Sequence, residues 1–97
     1  MAKKTSRAKA VDPTAVFKTL SDLNRFRTID MLSNAKRGLL VGDIASALRI
    51  GHSAASHLLG SLHTADIVSF AKEGRTVRYF LSGTPQAKAV LRVKRAA

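Results

Sequence analysis

Apolar residues recur every three or four positions through the first two thirds of the chain, which is the spacing of amphipathic helices. Asp12 and Pro13 predict the start of a first helix, because a carboxylate caps the free N–H groups of a first turn and proline fits the first helical position. Val16, Phe17 and Leu20 continue that helix. Ser21 or Asp22 is expected to cap a second helix over LNRFRTIDMLSN, and a polar, basic turn is predicted from residue 34 to 38.

A close pair of helices is predicted next, over residues 41–50 and about 53–65, with Gly51 as the pivot of the turn between them. On a wheel with ~100° per residue, this fourth helix separates its residues into an apolar and a polar side. The apolar side carries Ala55, Leu58, Leu59, Leu62 and Ala65. The polar side carries Ser53, Ser56, His57, Gly60 and Thr64.

After this pair of helices, apolar and polar residues alternate instead of recurring with helical spacing. Two alternating runs flank KEGR, with Gly74 in the turn, and predict a β-hairpin. Its inner face is expected to hold Val68, Phe70, Val77, Tyr79 and Leu81. Thr84 and Pro85 then begin a short basic helix with apolar residues at Ala87, Val90, Leu91 and Val93. The predicted fold is therefore mainly α with a β-hairpin wing, a winged helix-turn-helix in the order α-α-α-α-β-β-α. Residues 1–11 are predicted to be a basic flexible arm and residues 12–95 a single domain.

Charge and composition narrow the function. The chain has 17 Lys and Arg against 6 Asp and Glu, a net charge of +11, and both ends are rich in the basic residues. A small basic chain indicates a polyanionic partner, with nucleic acid first. The absence of cysteine excludes disulfides and thiolate metal sites. No apolar run is long enough to span a membrane or to form a signal peptide, so we expect a cytoplasmic protein.

Catalytic motifs are absent from the sequence. It has no glycine-rich phosphate loop, no carboxylate pair in a motif and no thiol. Ser53 and His57 form a surface pair without an orienting acid, so an enzyme is not expected and no cofactor is predicted.

The polar side of the fourth helix carries the candidate chemistry. Short side chains let a helix lie deep in the major groove, where hydroxyl and imidazole groups contact base edges and phosphates. An ordinary solvated face would carry more Lys and Glu, because small polar residues are poorer helix formers. The residues expected to read base edges are Ser53, Ala54, Ser56 and His57. His52 and Gly60 are expected to lie close to the DNA backbone. Lys72, Arg75 and Arg78 in the wing are expected to hold phosphates or to reach into the minor groove.

The three histidines are not predicted to bind a metal ion. Metal-binding pairs on one helix use spacings of three or four residues, whereas His52, His57 and His63 are five and six apart. For His63, a plain surface residue and a functional one are equally consistent with the sequence.

Three segments resemble the ArsR/SmtB family of bacterial winged-helix repressors, over roughly residues 16–81. LSDLNRFRTIDML resembles the family's L-A-D-P-T-R-hydrophobic-R-I-L-x-L-L. DIASALRIGHSAASHLLGSLHTADIV resembles E-L-A-x-x-L-G-L-S-Q-S-T-V-S-x-H-L-x-x-L-x-x-A-G-L-V, and EGRTVRYFL resembles E-G-R-x-V-x-Y-x-L. The resemblance implies a homodimer that pairs through its first and last helices, binds an inverted repeat in duplex DNA and blocks transcription. The dimer interface is expected at Val16, Leu20, Val90 and Leu91, whose apolar faces look too exposed for a monomer of this size.

Departures from the family pattern concern its sensor sites. The resemblance implies a metal ion or an oxidant as inducer, but residues 40–42 are Leu-Val-Gly where metal-sensing members carry Cys-Val-Cys. No histidine follows His63 and no acid follows Glu73, so the final-helix zinc site is absent too. The inducer therefore stays unknown. Asp66 replaces the glycine of the A-G-L-V turn and is expected to preserve it, because Asp tolerates a left-handed backbone. Leu58 replaces the family histidine, with His57 one place earlier.

Three functions remain open on the sequence. The first is a sequence-specific, dimeric repressor of double-stranded DNA. The second is an architectural, nucleoid-type binder with little sequence preference, which the high charge favours and the specialised fourth helix does not. The third is a protein-interaction module in which the charge is incidental.

Overall fold

The computed structural model describes residues 11–96 and has a winged helix-turn-helix fold, as predicted. The predicted N-terminal arm, apart from Val11, lies outside the described residues, as does Ala97. The elements are α1 Pro13–Ser21, α2 Leu23–Ser33, β1 Leu39–Leu40, α3 Val41–Leu48, α4 His52–Thr64, β2 Val68–Glu73, β3 Thr76–Leu81 and α5 Pro85–Ala96. Within residues 11–96, no helix has the length and hydropathy needed to cross a membrane.

Local capping explains where three of the helices begin. The Asp12 carboxylate accepts the N–H of Thr14 at 2.9 Å, with Pro13 in the first turn of α1. Asp22, rather than Ser21, caps α2 by accepting the N–H of Arg25 at 3.1 Å. Thr84 Oγ1 accepts the N–H of Ala87 at 3.1 Å at the start of α5. Each cap satisfies a donor that has no partner inside the helix, which confirms the predicted starts.

The strand β1 was not predicted. Neither the predicted turn over residues 34–38 nor the two residues after it carry the alternating pattern of a strand. Leu39 pairs with Tyr79 and Leu40 with Arg78, which gives a three-stranded antiparallel sheet in the order β1-β3-β2. Gly38 permits this pairing. Its φ is +74°, and an added Cβ would collide with the Tyr79 carbonyl oxygen and the Phe80 ring.

The turn between α3 and α4 does not pivot on glycine. Arg49 adopts the left-handed conformation at φ 58°, and its N–H and that of Ile50 bond the carbonyls of Ser46 and Ala45. Gly51 is extended, with φ −69° and ψ 159°, so its predicted role as pivot is wrong. The left-handed residue has to close the C-terminus of α3, which ends two residues earlier than predicted. The turn predicted at Asp66, after α4, is confirmed, because Asp66 adopts the left-handed conformation at φ 63°.

The hydrophobic core joins all five helices and the hairpin. Its fully buried members include Ile29, Ile44, Leu59, Leu62, Val68 and Val90. Helices α1 and α5 pack against each other within the chain, which leaves Val16 only 6% and Val90 only 1% exposed. The expectation that these two residues are too exposed for a monomer is therefore wrong. Leu20 and Leu91, also assigned to the dimer interface, are half-buried.

Candidate nucleic-acid interface

One face of α4 is turned to solvent and carries the residues expected to meet DNA. Ala55, Leu59 and Leu62 are buried in the core. The exposed residues on the other side are His52, Ser53, Ala54, Ser56 and His57, and Gly60 is half-buried. Ala65 was expected in the core but is exposed, because α4 ends at Thr64 and Ala65 is its C-cap. The structure thus gives these small polar side chains one common, accessible surface.

The N-terminal end of α4 is open to an anion. Gly51 is the N-cap and makes no side-chain hydrogen bond, and the first turn contains no acidic residue. The first N–H groups of a helix lack internal partners and lie at the positive end of its dipole. A phosphate beside His52 and Ser53 would meet both the N–H groups and that dipole.

Gly60 has no structural reason to be glycine. It lies inside α4 with ordinary helical geometry, and an added Cβ would find nothing within 4 Å. Glycine in a helix interior costs about 1 kcal/mol relative to alanine. The fold therefore tolerates a destabilising residue on the polar face, at a position where the absence of a side chain lets another molecule approach the helix backbone.

The hairpin carries two cations without an ion-pair partner among the described residues, and one of them, Arg75, lies beside this face. Lys72 pairs with Val77 across the strands and so shares the face of Phe70 and Tyr79. Arg75, in the turn, lines a cleft of about 300 Å³ together with His52, Ser56 and Tyr79. Within residues 11–96, neither Lys72 nor Arg75 forms an ion pair. Both cations are therefore free to meet an anion.

Arg78, the third cation predicted for the wing, has a partner. It lies on the opposite face of β3, and its Nε donates to Glu73 Oε2 at 2.9 Å. The Glu73 carboxylate offsets the charge of Arg78, so Arg78 is less available than Lys72 and Arg75 to bind a phosphate. Sequence patterning gave no indication of this pair, because Glu73 and Arg78 belong to different strands.

His63 joins α4 to the wing. Its ring lies 5.0 Å from that of Phe70, which lies 5.5 Å from that of Tyr79, both in tilted arrangements. Aromatic pairs at these distances are attractive beyond the area that they bury. The prediction that Phe70 faces inward is therefore wrong: its side chain is 47% exposed, because it lies against the rings of His63 and Tyr79 rather than in the core. His63 thus has a structural role that the sequence left undecided.

Sequence reasoning missed one cation beside α4. Arg25 lies on α2, and its Nη2 is 3.4 Å from Ser61 Oγ on α4. The two residues are 36 positions apart, so no local pattern could bring them together. Among the described residues, no group of three His, Cys, Asp or Glu side chains is arranged to hold a metal ion.

A helix-turn-helix whose second helix presents a small polar face, followed by a hairpin with a basic tip, defines the winged helix-turn-helix class of nucleic-acid-binding folds. No protein-family model matches the chain. Comparisons with individual proteins identify the family to which it belongs.

Two curated relatives and one solved structure define the family. The chain is 33% identical over 69 residues to the transcriptional repressor SdpR of Bacillus subtilis, covering 71% of this chain and 74% of that protein. It is 36% identical over 66 residues to a transcriptional repressor SmtB homologue of Synechocystis, covering 68% of this chain and 48% of the relative. This chain thus spans about half the length of the Synechocystis protein. The homodimeric winged helix-turn-helix DNA-binding domain Mb0332 of Mycobacterium bovis superposes with a TM-score of 0.67 at 26% identity, over 84% of this chain and 69% of that one. The chain belongs to the ArsR/SmtB family of winged-helix transcriptional repressors.

Proposed function

We propose that this protein is a sequence-specific, double-stranded DNA-binding repressor that acts as a homodimer on an inverted repeat. The observation that carries the proposal is the exposed, small and polar face of α4 with Arg75 of the wing, which has no ion-pair partner within residues 11–96, beside it. The family relationship supports the same function, since the two curated relatives are transcriptional repressors. The protein acts without catalysis, and as a DNA-binding regulator it works in the cytoplasm.

In this mechanism α4 enters the major groove. Ser53, Ser56 and His57 hydrogen-bond to base edges, and Ala54 contacts a thymine methyl group. His52 and the first turn of α4 bind a phosphate, and Gly60 lets the helix backbone approach the groove. Lys72 and Arg75 hold the sugar-phosphate backbone beside the wing. Repression follows because the bound dimer excludes other proteins from the same DNA.

The proposed dimer interface differs in part from the sequence prediction. Because Val16 and Val90 fill the monomer core, we assign the contact on α1 to Phe17, which is 62% exposed, together with the half-buried Leu20 three positions further on. These two residues share one side of α1. The homodimeric state of the Mb0332 domain supports the pairing. A two-fold protein dimer fits an inverted repeat, because each copy reads one half-site.

Selection of bound duplexes from a random DNA pool tests the function directly. At about 150 mM salt, where the Debye length is about 8 Å, we expect recovery of an inverted repeat with half-sites about one helical turn apart. Recovery without a consensus would support the architectural alternative. If no duplex is retained, the DNA-binding proposal fails.

Two substitutions separate base reading from phosphate binding. His57→Ala is expected to change the selected base at one position of each half-site, because His57 is exposed and has no hydrogen-bond partner within residues 11–96. Arg75→Gln is expected to weaken all duplexes alike and to lower the salt slope by ~0.9 for each phosphate that Arg75 neutralises. An unchanged consensus with His57→Ala would refute that residue's role as a base reader.

Phe17→Glu tests the interface. Burial of a phenylalanine is worth about 1.5–3 kcal/mol, and both copies lose it, so the dissociation constant of the dimer is expected to rise at least ~100-fold. Ala47→Glu, at an exposed position on α3, is the matched control. Sedimentation of the free proteins measures both. A Phe17→Glu variant that stays dimeric like the control would place the interface elsewhere.

A further inference from the structure

We infer that Arg25 binds a DNA phosphate on the flank of α4 opposite the wing, so that the two strands of the duplex are each held by protein cations. The inference deepens the proposed function and rests on it. It assigns a DNA-binding role to a helix that lies outside both the helix-turn-helix and the wing.

The position of Arg25 is set by a contact between α2 and α4. Arg25 Nη2 lies 3.4 Å from Ser61 Oγ. The Ser61 hydroxyl donates to the carbonyl of Leu58 at 2.8 Å, which leaves its lone pairs available to the guanidinium. Lys18, Arg25 and Ser61 line a shallow cleft of about 200 Å³ between α1, α2 and α4. The cation is therefore held along the side of α4.

That side is the one remote from the wing. With ~100° per residue, Ser61 lies ~40° from His57 and ~20° from Ala54 around α4. His52 and Ser56 lie on the other flank, where they share a cleft with Arg75. The face expected to read bases is thus bordered by Arg75 on one side and by Arg25 on the other.

The dimensions of DNA put phosphates at both borders. The major groove is about 12 Å wide and a helix with its side chains is about 10–12 Å across. A helix that fills the groove has one strand of the duplex along each flank. The wing holds the strand on its side, and Arg25 lies where the other strand passes.

The charge around Arg25 suits a phosphate. No carboxylate lines its cleft, and among the described residues its guanidinium forms no ion pair. Asp22, which is close in sequence, has a carboxylate oxygen on the backbone N–H of Arg25 at 3.1 Å. The guanidinium has five N–H donors, and its single hydrogen bond within residues 11–96 goes to Ser61. The remaining donors fit the paired oxygens of a phosphate.

Arg27 provides a matched control on the same helix. It lies ~200° around α2 from Arg25, is exposed, and has no ion pair in the part of the chain that the structure describes. Arg25→Gln and Arg27→Gln remove the same charge from the same helix. A difference between them in DNA binding therefore reports position rather than net charge.

The experiment measures duplex affinity against salt concentration for the full chain and its variants, with the consensus duplex from selection. We expect Arg25→Gln to lower the slope by ~0.9 per protomer, or ~2 for the dimer, without changing the consensus, and Arg27→Gln to leave the slope near that of the parent protein. Arg25→Lys is expected to keep the slope but to bind more weakly, because an ammonium group cannot pair with two phosphate oxygens. Ser61→Ala keeps the charge and is expected to keep the slope.

A purely structural role for Arg25 predicts a different result. If Arg25 only ties α2 to α4, Arg25→Gln lowers the unfolding temperature and the affinity while the salt slope stays unchanged, which would overturn the inference. The inference also fails if Arg25→Gln matches Arg27→Gln. Both of these outcomes leave the proposed function standing, provided that the parent protein binds the duplex and Arg75→Gln lowers its slope. Loss of all duplex binding by the parent protein would instead remove the proposed function.

Discussion

Gly60→Ala is expected to raise the stability of the protein and to lower its affinity for duplex DNA. Alanine is about 0.8–1 kcal/mol better than glycine inside a helix, and the added Cβ would meet nothing within 4 Å, so no strain offsets the gain. For a chain of this size we expect the unfolding temperature to rise by about 4–8 °C. The same methyl group would lie between α4 and the floor of the major groove. An overfilled contact of this kind costs about 1–2 kcal/mol, so duplex affinity should fall roughly five- to thirty-fold.

Thermal unfolding at fixed protein concentration and a DNA titration test the two halves of this prediction. Gly83→Ala is the control, because Gly83 lies between β3 and α5, outside the cleft that Arg75 lines, and also has nothing within 4 Å of an added Cβ. The control should keep its duplex affinity within a few-fold of the parent. A Gly60→Ala protein that is more stable and binds DNA as well as the parent would refute close approach at this position. A less stable protein would refute the conclusion that the helix surface is open there.

Three further substitutions test the local structure. Gly38→Ala should destabilise the fold by more than about 2 kcal/mol in urea unfolding, because Gly38 is left-handed and an added Cβ would meet the Tyr79 carbonyl; a near-neutral result would contradict the packing of β1 on β3. Arg49→Gly should stabilise the protein by about 0.5–1 kcal/mol, since an exposed arginine at φ 58° carries a strain that glycine lacks, and a loss of stability would contradict this reasoning. Glu73→Gln removes the partner of Arg78 and should tighten duplex binding and steepen its salt dependence, whereas an unchanged slope would show that the freed arginine does not reach phosphate.

The outline of the fold was predictable because its signals are local. Asp12 with Pro13, Asp22 and Thr84 each mark a helix start through a hydrogen bond that spans two or three residues. The division of α4 into a buried and a polar side follows from helical spacing alone. The wing follows from alternation around a glycine turn, and the strand register confirms that Phe70 and Tyr79 share one face, although Phe70 is exposed on it.

Features that join distant segments required the tertiary structure. β1 is only two residues long and exists through its pairing with β3, nearly forty residues later. Val16 and Val90 looked exposed on their separate helices and are buried because α1 and α5 pack together. The ion pair of Arg78, the tilted ring contact of His63 with Phe70 and the contact of Arg25 with Ser61 also depend on neighbours from other elements.

The sequence alone thus determines the helices, the wing and the polar face of α4, because hydrogen bonds and side-chain periodicity over a few positions decide them. Which cations stand free beside that face, and which are neutralised, depends on how the elements pack. The same packing selects the apolar residues that fill the core and those that, like Phe17, stay exposed to solvent. Charge pairing and burial belong to surfaces assembled from several elements, and no single stretch of the chain contains such a surface.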